Sequence, residues 1–100
     1  MRQVDIERFE KIEKVLPGVL AETEEVLVEM GRDSDETIYP VVKRQLLEIK
    51  RMIERRTIPT EEEKEKIRVG TLIVREYDGA DPLPEYADSI VEISYAFHNL

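Results

Sequence analysis

The sequence predicts an all-α protein, a single-domain antiparallel bundle of about five helices. Apolar residues recur at three- and four-residue spacing through most of the chain, which is typical of helices that bury one face. Glycine and proline lie where these patterns are interrupted, as short connections between helices require. Only residues 72–74 favour a strand, and a single short strand would have no partner. One hundred residues are enough for one core.

Two helices are expected in the first thirty residues, over Val4–Leu16 and Pro17–Met30. Proline has no N–H to donate inside a helix and disfavours helical geometry in the residue before it, so the first helix should end before Pro17. Gly31 can adopt the left-handed conformation that ends the second helix. Residues 32–36 should then form a polar loop.

The third helix is predicted over Ile38–Arg55. Thr37 is a suitable cap, and Pro40 falls in the first turn, where a proline is tolerated. Basic residues at the end of this helix suit its dipole. Its apolar stripe alternates between three- and four-residue steps and comprises Tyr39, Val42, Leu46, Ile49 and Ile53.

The fourth helix should begin with a capping box and run to Tyr77. In this box the Thr60 side chain bonds the N–H of Glu63, and the Glu63 carboxylate bonds back to Thr60. Gly70 lies inside the helix, where glycine costs about 1 kcal/mol relative to alanine. We therefore expect a neighbouring helix to approach Gly70 closely.

The fifth helix is predicted over Pro82–His98. Gly79 should end the preceding helix, Asp81 should cap the new one, and Pro82 should occupy its first position. The residues expected to face the core are Leu83, Ala87, Ile90, Ser94 and Phe97. Tyr86 lies off this stripe, so we expect it to be exposed. His98, the only histidine, should be frayed at the end of the helix.

Composition restricts the classes of function. The formal net charge is −8, so phosphate backbones and anionic membranes are disfavoured as partners. With no cysteine there is no disulfide framework, thiolate metal site or cysteine nucleophile. The charged start of the sequence does not fit a signal peptide, and the expected location is the cytoplasm. The charge is consistent either with solvated helix faces or with a partner that has a basic surface.

One stretch resembles a known family. The residues that carry the resemblance are Gly70, the run Val74-Arg75-Glu76-Tyr77, Asp81-Pro82 and Tyr95, with Gln45-Leu46 and Ile49 upstream. Together they resemble a family of small bacterial immunity proteins that neutralise NAD(P)+-degrading toxins delivered by type VI secretion. The resemblance covers about the last sixty residues. In this sequence Leu83-Pro84-Glu85 stands where the family more usually has Asp-Pro-Glu-Leu.

The resemblance implies a non-enzymatic protein, without a cofactor or metal, that binds the catalytic domain of a cognate toxin and blocks its NAD(P)+ site. In an up-down bundle the loops after the second and fourth predicted helices share an end, which would collect acids and tyrosines. The predicted partner-binding residues are Asp33, Asp35, Glu36, Tyr77, Asp78, Asp81, Glu85 and Tyr86. Alternatively, Asp35 and Asp81 only cap helices and Asp78 only shapes a turn. Arg75 either pairs with a neighbouring acid or contacts the partner.

Two other functions are compatible with parts of the sequence. Glu62-x-x-Glu65 and Glu85-x-x-Asp88 match the paired acidic motifs of magnesium-dependent all-α nucleotide pyrophosphohydrolases. However, these pairs open successive antiparallel helices, which would separate them by roughly 18 Å, too far for one ion. The other alternative is a non-catalytic helical interaction or dimerisation module. For the immunity protein itself, a homodimer is an open expectation when the toxin is absent.

Overall fold

The structure consists of helices only. The computed structural model describes residues 1–100. Its α-helices are α1 (Gln3–Met30), α2 (Tyr39–Glu54), α3 (Glu61–Glu65), α4 (Val69–Glu76) and α5 (Glu85–His98), and a 3-10 helix (Gly31–Glu36) follows α1. The all-α prediction is confirmed, although these are not the five helices that were predicted. None of them combines the length and the apolar character needed to cross a membrane.

Four of the helices, α1, α2, α4 and α5, form an antiparallel bundle around one core. Side-chain contacts show that α1 runs antiparallel to both of its neighbours: Glu13–Arg56 and Glu24–Lys43 join it to α2, and Arg8–Asn99 and Thr23–Tyr86 join it to α5. The fully buried large side chains of the core come from all four helices: Phe9, Ile12, Val42, Leu46, Ile49, Val69, Ile73, Ile90, Ile93 and Phe97.

The predicted break at Pro17 is wrong, because α1 continues through it for 28 residues. Its buried face runs through Phe9, Ile12, Leu16, Val19 and Thr23 at three- and four-residue steps on both sides of the proline. An interior proline costs about 3 kcal/mol, while fully burying one such apolar side chain contributes about 1.5–3 kcal/mol. Pro17 itself is exposed. Burial of the continuous apolar face therefore outweighs the local preference for a break.

The connection from α1 to α2 is more ordered than the predicted polar loop. Gly31 has a φ of +57° and ends α1 as expected. A 3-10 helix follows, and the Thr37 hydroxyl donates to the Ser34 carbonyl at 2.7 Å. The Thr37 oxygen also accepts the Tyr39 N–H at 3.3 Å, although Ile38 is the residue that directly precedes α2. Pro40 lies in the first turn, as predicted.

The predicted fourth helix is divided into α3 and α4. Ile67 and Val69 are both buried, and residues two apart cannot share one face of a continuous helix. The Arg68 N–H freed by the break donates to the Gln45 side-chain oxygen at 2.7 Å. The capping box of α3 is confirmed, since the Glu63 N–H lies 3.1 Å from the Thr60 hydroxyl and the Thr60 N–H lies 3.0 Å from the Glu63 carboxylate.

The start of α5 and the state of His98 differ from prediction. The helix begins at Glu85 after Pro84, because a proline disfavours helical geometry in the residue before it, here Leu83. Asp81 therefore does not cap α5. His98 is not frayed: its ring nitrogens lie 2.8 Å from the Ser94 carbonyl oxygen and 2.9 Å from the Lys64 carbonyl oxygen.

Candidate partner-binding surface

One end of the bundle brings together the two connections that contain the predicted site. We call it the acidic end and define it as residues 31–38 and 75–88. Tyr39 follows the first segment directly, while Tyr77 and Tyr86 lie in the second. The phenol of Tyr39 is close enough to those of Tyr77 and Tyr86 for both of them to raise its pKa. The structure therefore places the two segments side by side.

A tyrosine cluster lies beneath this surface. Tyr39 is buried, and burial, reinforced by the neighbouring Tyr77 hydroxyl, raises the pKa of its phenol well above the usual value. The Tyr86 hydroxyl lies 2.6 Å from the hydroxyl of Thr23, which is buried in α1. Because Thr23 gives its own proton to the Val19 carbonyl at 2.8 Å, Tyr86 is the donor in this pair. Burial also raises the pKa of Tyr86.

The carboxylates above the tyrosines have no partner within the chain. The six predicted acids are all exposed: Asp33, Asp35, Glu36, Asp78, Asp81 and Glu85. The nine ion pairs of the protein involve none of them, and none makes a side-chain hydrogen bond. The capping alternative is therefore wrong for Asp81, and Asp35 makes no capping hydrogen bond either. Asp78 does shape a turn, with a φ of +52° that aspartate tolerates better than most residues.

Most of the net charge of the protein belongs to this end. The two segments carry eight carboxylates and two arginines, which is −6 of the total −8. The arginines, Arg32 and Arg75, are exposed and form no ion pair. The alternative in which Arg75 pairs with a neighbouring acid is therefore wrong. Since the charges are not neutralised internally, this end can attract a positively charged surface.

The exposure of Tyr86 differs from expectation, and Tyr95 is the most exposed tyrosine. Tyr86 is half-buried and tied to Thr23, so the prediction that it is exposed is wrong. Tyr95, on the outer face of α5, has 69% of its surface exposed. Thr23 was not identified from the sequence as a residue of this site, because it continues the apolar stripe of α1. Its hydroxyl meets Tyr86 only when α5 packs against that helix.

The acidic motifs of the magnesium-dependent alternative lie far apart. Glu62 and Glu65 belong to α3, which is held against the last turn of α5 by the contact between Lys64 and His98. Glu85 and Asp88 lie in the first turn of α5, about 18–20 Å away along that helix. No group of three or more acids and histidines in the structure is arranged to hold a metal ion.

The fold is that of a small helical protein. Its acidic end is a charged surface that the chain does not neutralise, and such a surface is suited to a protein partner. Residues 11–99 match the Tsi6 family, and the chain belongs to this family of type VI secretion immunity proteins. This confirms the family suggested by the stretch around Gly70 to Pro82. No curated protein and no solved structure matches the chain.

Proposed function

We propose that the protein binds the catalytic domain of a cognate type VI-secreted toxin that degrades NAD(P)+, and blocks its active site in the cytoplasm by occlusion. The toxin class follows the family resemblance of residues 70–82. An enzyme that binds NAD(P)+ must present positive or N–H-rich surface to the phosphates of its substrate. The acidic end is complementary to such a surface.

The observation that carries this proposal is the set of carboxylates without internal partners. Six exposed acids make neither an ion pair nor a side-chain hydrogen bond, while the carboxylates near the other end are largely paired. Complementary charge of this kind accelerates association and makes it sensitive to salt. The half-buried Tyr77 and Tyr86 supply aromatic area beside the acids, and aromatic residues are frequent anchors of protein interfaces. Inhibition then needs no chemistry from this chain.

The test begins by searching the genes next to the one for this protein for a secreted toxin, whose catalytic domain is then produced. The first measurement is NAD+ consumption by that domain with and without an equimolar amount of the wild-type chain. Full inhibition is expected. An active NAD+-degrading domain that neither binds nor is inhibited by the chain would contradict the proposal. Light scattering of the free chain in the same series tests whether it forms a homodimer when the toxin is absent.

The acidic end is then tested by charge reversal. The triple variant Asp33→Lys, Asp35→Lys and Glu85→Lys leaves Asp78, with its positive φ, unchanged. Its matched control is Glu7→Lys, Glu10→Lys and Glu65→Lys, at exposed acids outside the acidic end that form no ion pair. Both variants have a formal net charge of −2 instead of −8.

We expect the acidic-end variant to lose about 100-fold or more in affinity, mainly through slower association and with a weaker salt dependence. The control variant should lose much less. Equal affinity and equal salt dependence for the acidic-end variant and the wild type would exclude this end. The interface would then be sought on the acidic side of α1, formed by Glu22, Glu25 and Glu29.

A further inference from the structure

The acidic end contains a recess with a defined lining. It has a volume of about 400 Å3 and lies between the last turn of α4, the connection to α5 and the first turn of α5. Val74, Pro82 and Leu83 form its apolar walls, and the carboxylates of Asp81 and Asp88 belong to the same lining. Asp88 was not among the predicted partner-binding residues, because the sequence alone does not show that it meets the loop around Asp81.

The two carboxylates have no partner of their own chain. Neither Asp81 nor Asp88 forms an ion pair or a side-chain hydrogen bond, and both are exposed. The nearest arginine along the chain, Arg75, pairs with neither. Asp88 does suit the dipole of α5, but Glu85 already supplies an acid in that first turn. Asp81 lies outside every helix and caps none.

The lining indicates what the recess accepts. Apolar walls bury the methylene stem of a long side chain, and the carboxylates bind its charged head. Two carboxylates from different elements match the several N–H groups of a guanidinium better than the compact charge of an ammonium. A divalent cation is a poorer fit, because Mg2+ and Ca2+ take six or more oxygen ligands and no third acid or histidine completes the set.

We propose that this recess binds an arginine side chain of the toxin domain, with Asp81 and Asp88 standing in for the phosphates that such an arginine would otherwise bind. This inference rests on the proposed function. It names a contact through which the acidic end would block an NAD(P)+ site: the immunity protein occupies the basic group that the phosphates need.

The recess is tested first without any toxin. The 15N-labelled chain is titrated with Nα-acetyl-arginine amide and, as a neutral isosteric control, with Nα-acetyl-citrulline amide. We expect saturable shifts of the Val74, Gly79 and Asp88 amide signals with the arginine compound, at a Kd of about 1–10 mM, and none with citrulline. Equal shifts with both compounds, or no saturation with arginine, would overturn the assignment.

Two variants then locate the effect. Asp81→Asn with Asp88→Asn removes both carboxylates at nearly constant shape, and Asp33→Asn with Asp35→Asn removes the same charge elsewhere on the acidic end. The first pair should weaken both arginine binding and toxin binding about tenfold or more relative to the second pair. Melting curves of the two variants verify that both remain folded.

The outcomes separate this inference from the proposed function. If the Asp81 and Asp88 variant binds the toxin at full strength while the charge-reversed triple variant does not, the recess assignment is wrong and the proposed function stands. If the wild-type chain does not bind the toxin, the proposed function is wrong, and the arginine titration by itself decides whether the recess recognises a guanidinium.

Discussion

The two ends of the bundle use their polar residues differently. At the end opposite to the acidic end, which we call the paired end, Arg55 and Glu63 are 2.6 Å apart and Arg56 and Glu13 are 2.9 Å apart. The backbone N–H of Thr60, helped by the Arg55 guanidinium, holds the pKa of the Glu63 carboxyl below its usual range. Polar groups at this end therefore contribute to the fold, including the break between α3 and α4.

At the acidic end, the polar groups that serve the fold lie beneath the surface. Tyr39 is buried and Tyr86 is half-buried with its hydroxyl on Thr23 of α1, whereas the six exposed carboxylates of this end have no side-chain partner within the chain. Carboxylates that form no ion pair repel one another, so these acids stabilise the fold little beyond the dipole of α5, which Glu85 and Asp88 suit. The charges available to a partner are therefore those that form no ion pair within the chain.

The largest expected effect on stability is at Gly70 of α4, which lies against Ser94 of α5 toward the paired end. A Cβ atom at Gly70 would lie 2.8 Å from the Ser94 hydroxyl oxygen and 2.9 Å from its Cβ, and the latter cannot rotate away. Gly70→Leu should destabilise the protein by about 1–3 kcal/mol through overpacking, measured by urea unfolding. An unchanged unfolding midpoint would show that the helices separate without cost.

A matched pair of variants checks that this effect comes from the contact. Gly70→Ala should also be destabilising, although alanine gains about 1 kcal/mol of helix propensity. In the background of Ser94→Gly the same substitution should become neutral or stabilising, because the clashing atoms are gone. A double-mutant cycle gives the coupling between the two positions. If the two substitutions act independently, the destabilisation does not come from the contact between Gly70 and Ser94.

A smaller effect is expected at the capping box of the paired end. Thr60→Ala removes the hydroxyl that accepts the Glu63 N–H and should cost about 1 kcal/mol of stability. Toxin affinity should stay within about twofold of wild type, because the box lies at the end opposite to the proposed interface. A folded Thr60→Ala protein with strongly reduced affinity would invalidate the functional difference drawn between the two ends.

The smallest effect, absent at neutral pH, concerns the buried Tyr39 and the half-buried Tyr86 of the acidic end. Folding raises the pKa of Tyr39 and Tyr86, so their neutral forms stabilise the protein fully below the unfolded value of about 10. This stability should decrease as the pH rises above that value, because the unfolded chain then loses protons that the folded chain retains. Tyrosinate absorbance should therefore rise together with the loss of helical circular dichroism.

Single phenylalanine substitutions assign this alkaline transition. Tyr39→Phe should make stability less dependent on pH between about 10 and 12, whereas Tyr95→Phe, at a largely exposed position, should leave the dependence unchanged. Identical alkaline transitions in the wild type and in Tyr39→Phe would show that another group causes the unfolding.

Several features of the fold were determined by residues close together in the sequence. The positive φ values of Gly31 and Gly79 and the capping box at Thr60 involve only neighbouring groups, so local rules predicted them correctly. The apolar spacing predicted the all-α class for the same reason. Gly70 also predicted a tertiary contact correctly. Glycine is costly inside a helix, so its presence indicated that another helix approaches closely, and Ser94 of α5 lies there.

Where a local preference competed with burial, the tertiary structure determined which conformation the chain adopts. Pro17 remains inside a helix because the apolar face on both sides of it packs against α2 and α5 as one surface. The predicted fourth helix breaks because Ile67 and Val69 must both be buried, and Gln45, from another helix, accepts the N–H that the break leaves free. The recess likewise forms only when α4 and α5 pack together. The sequence positions of Asp81 and Asp88 do not show that both line it. A local preference is worth a few kcal/mol within one segment, whereas packing sums the burial free energy of side chains from several helices.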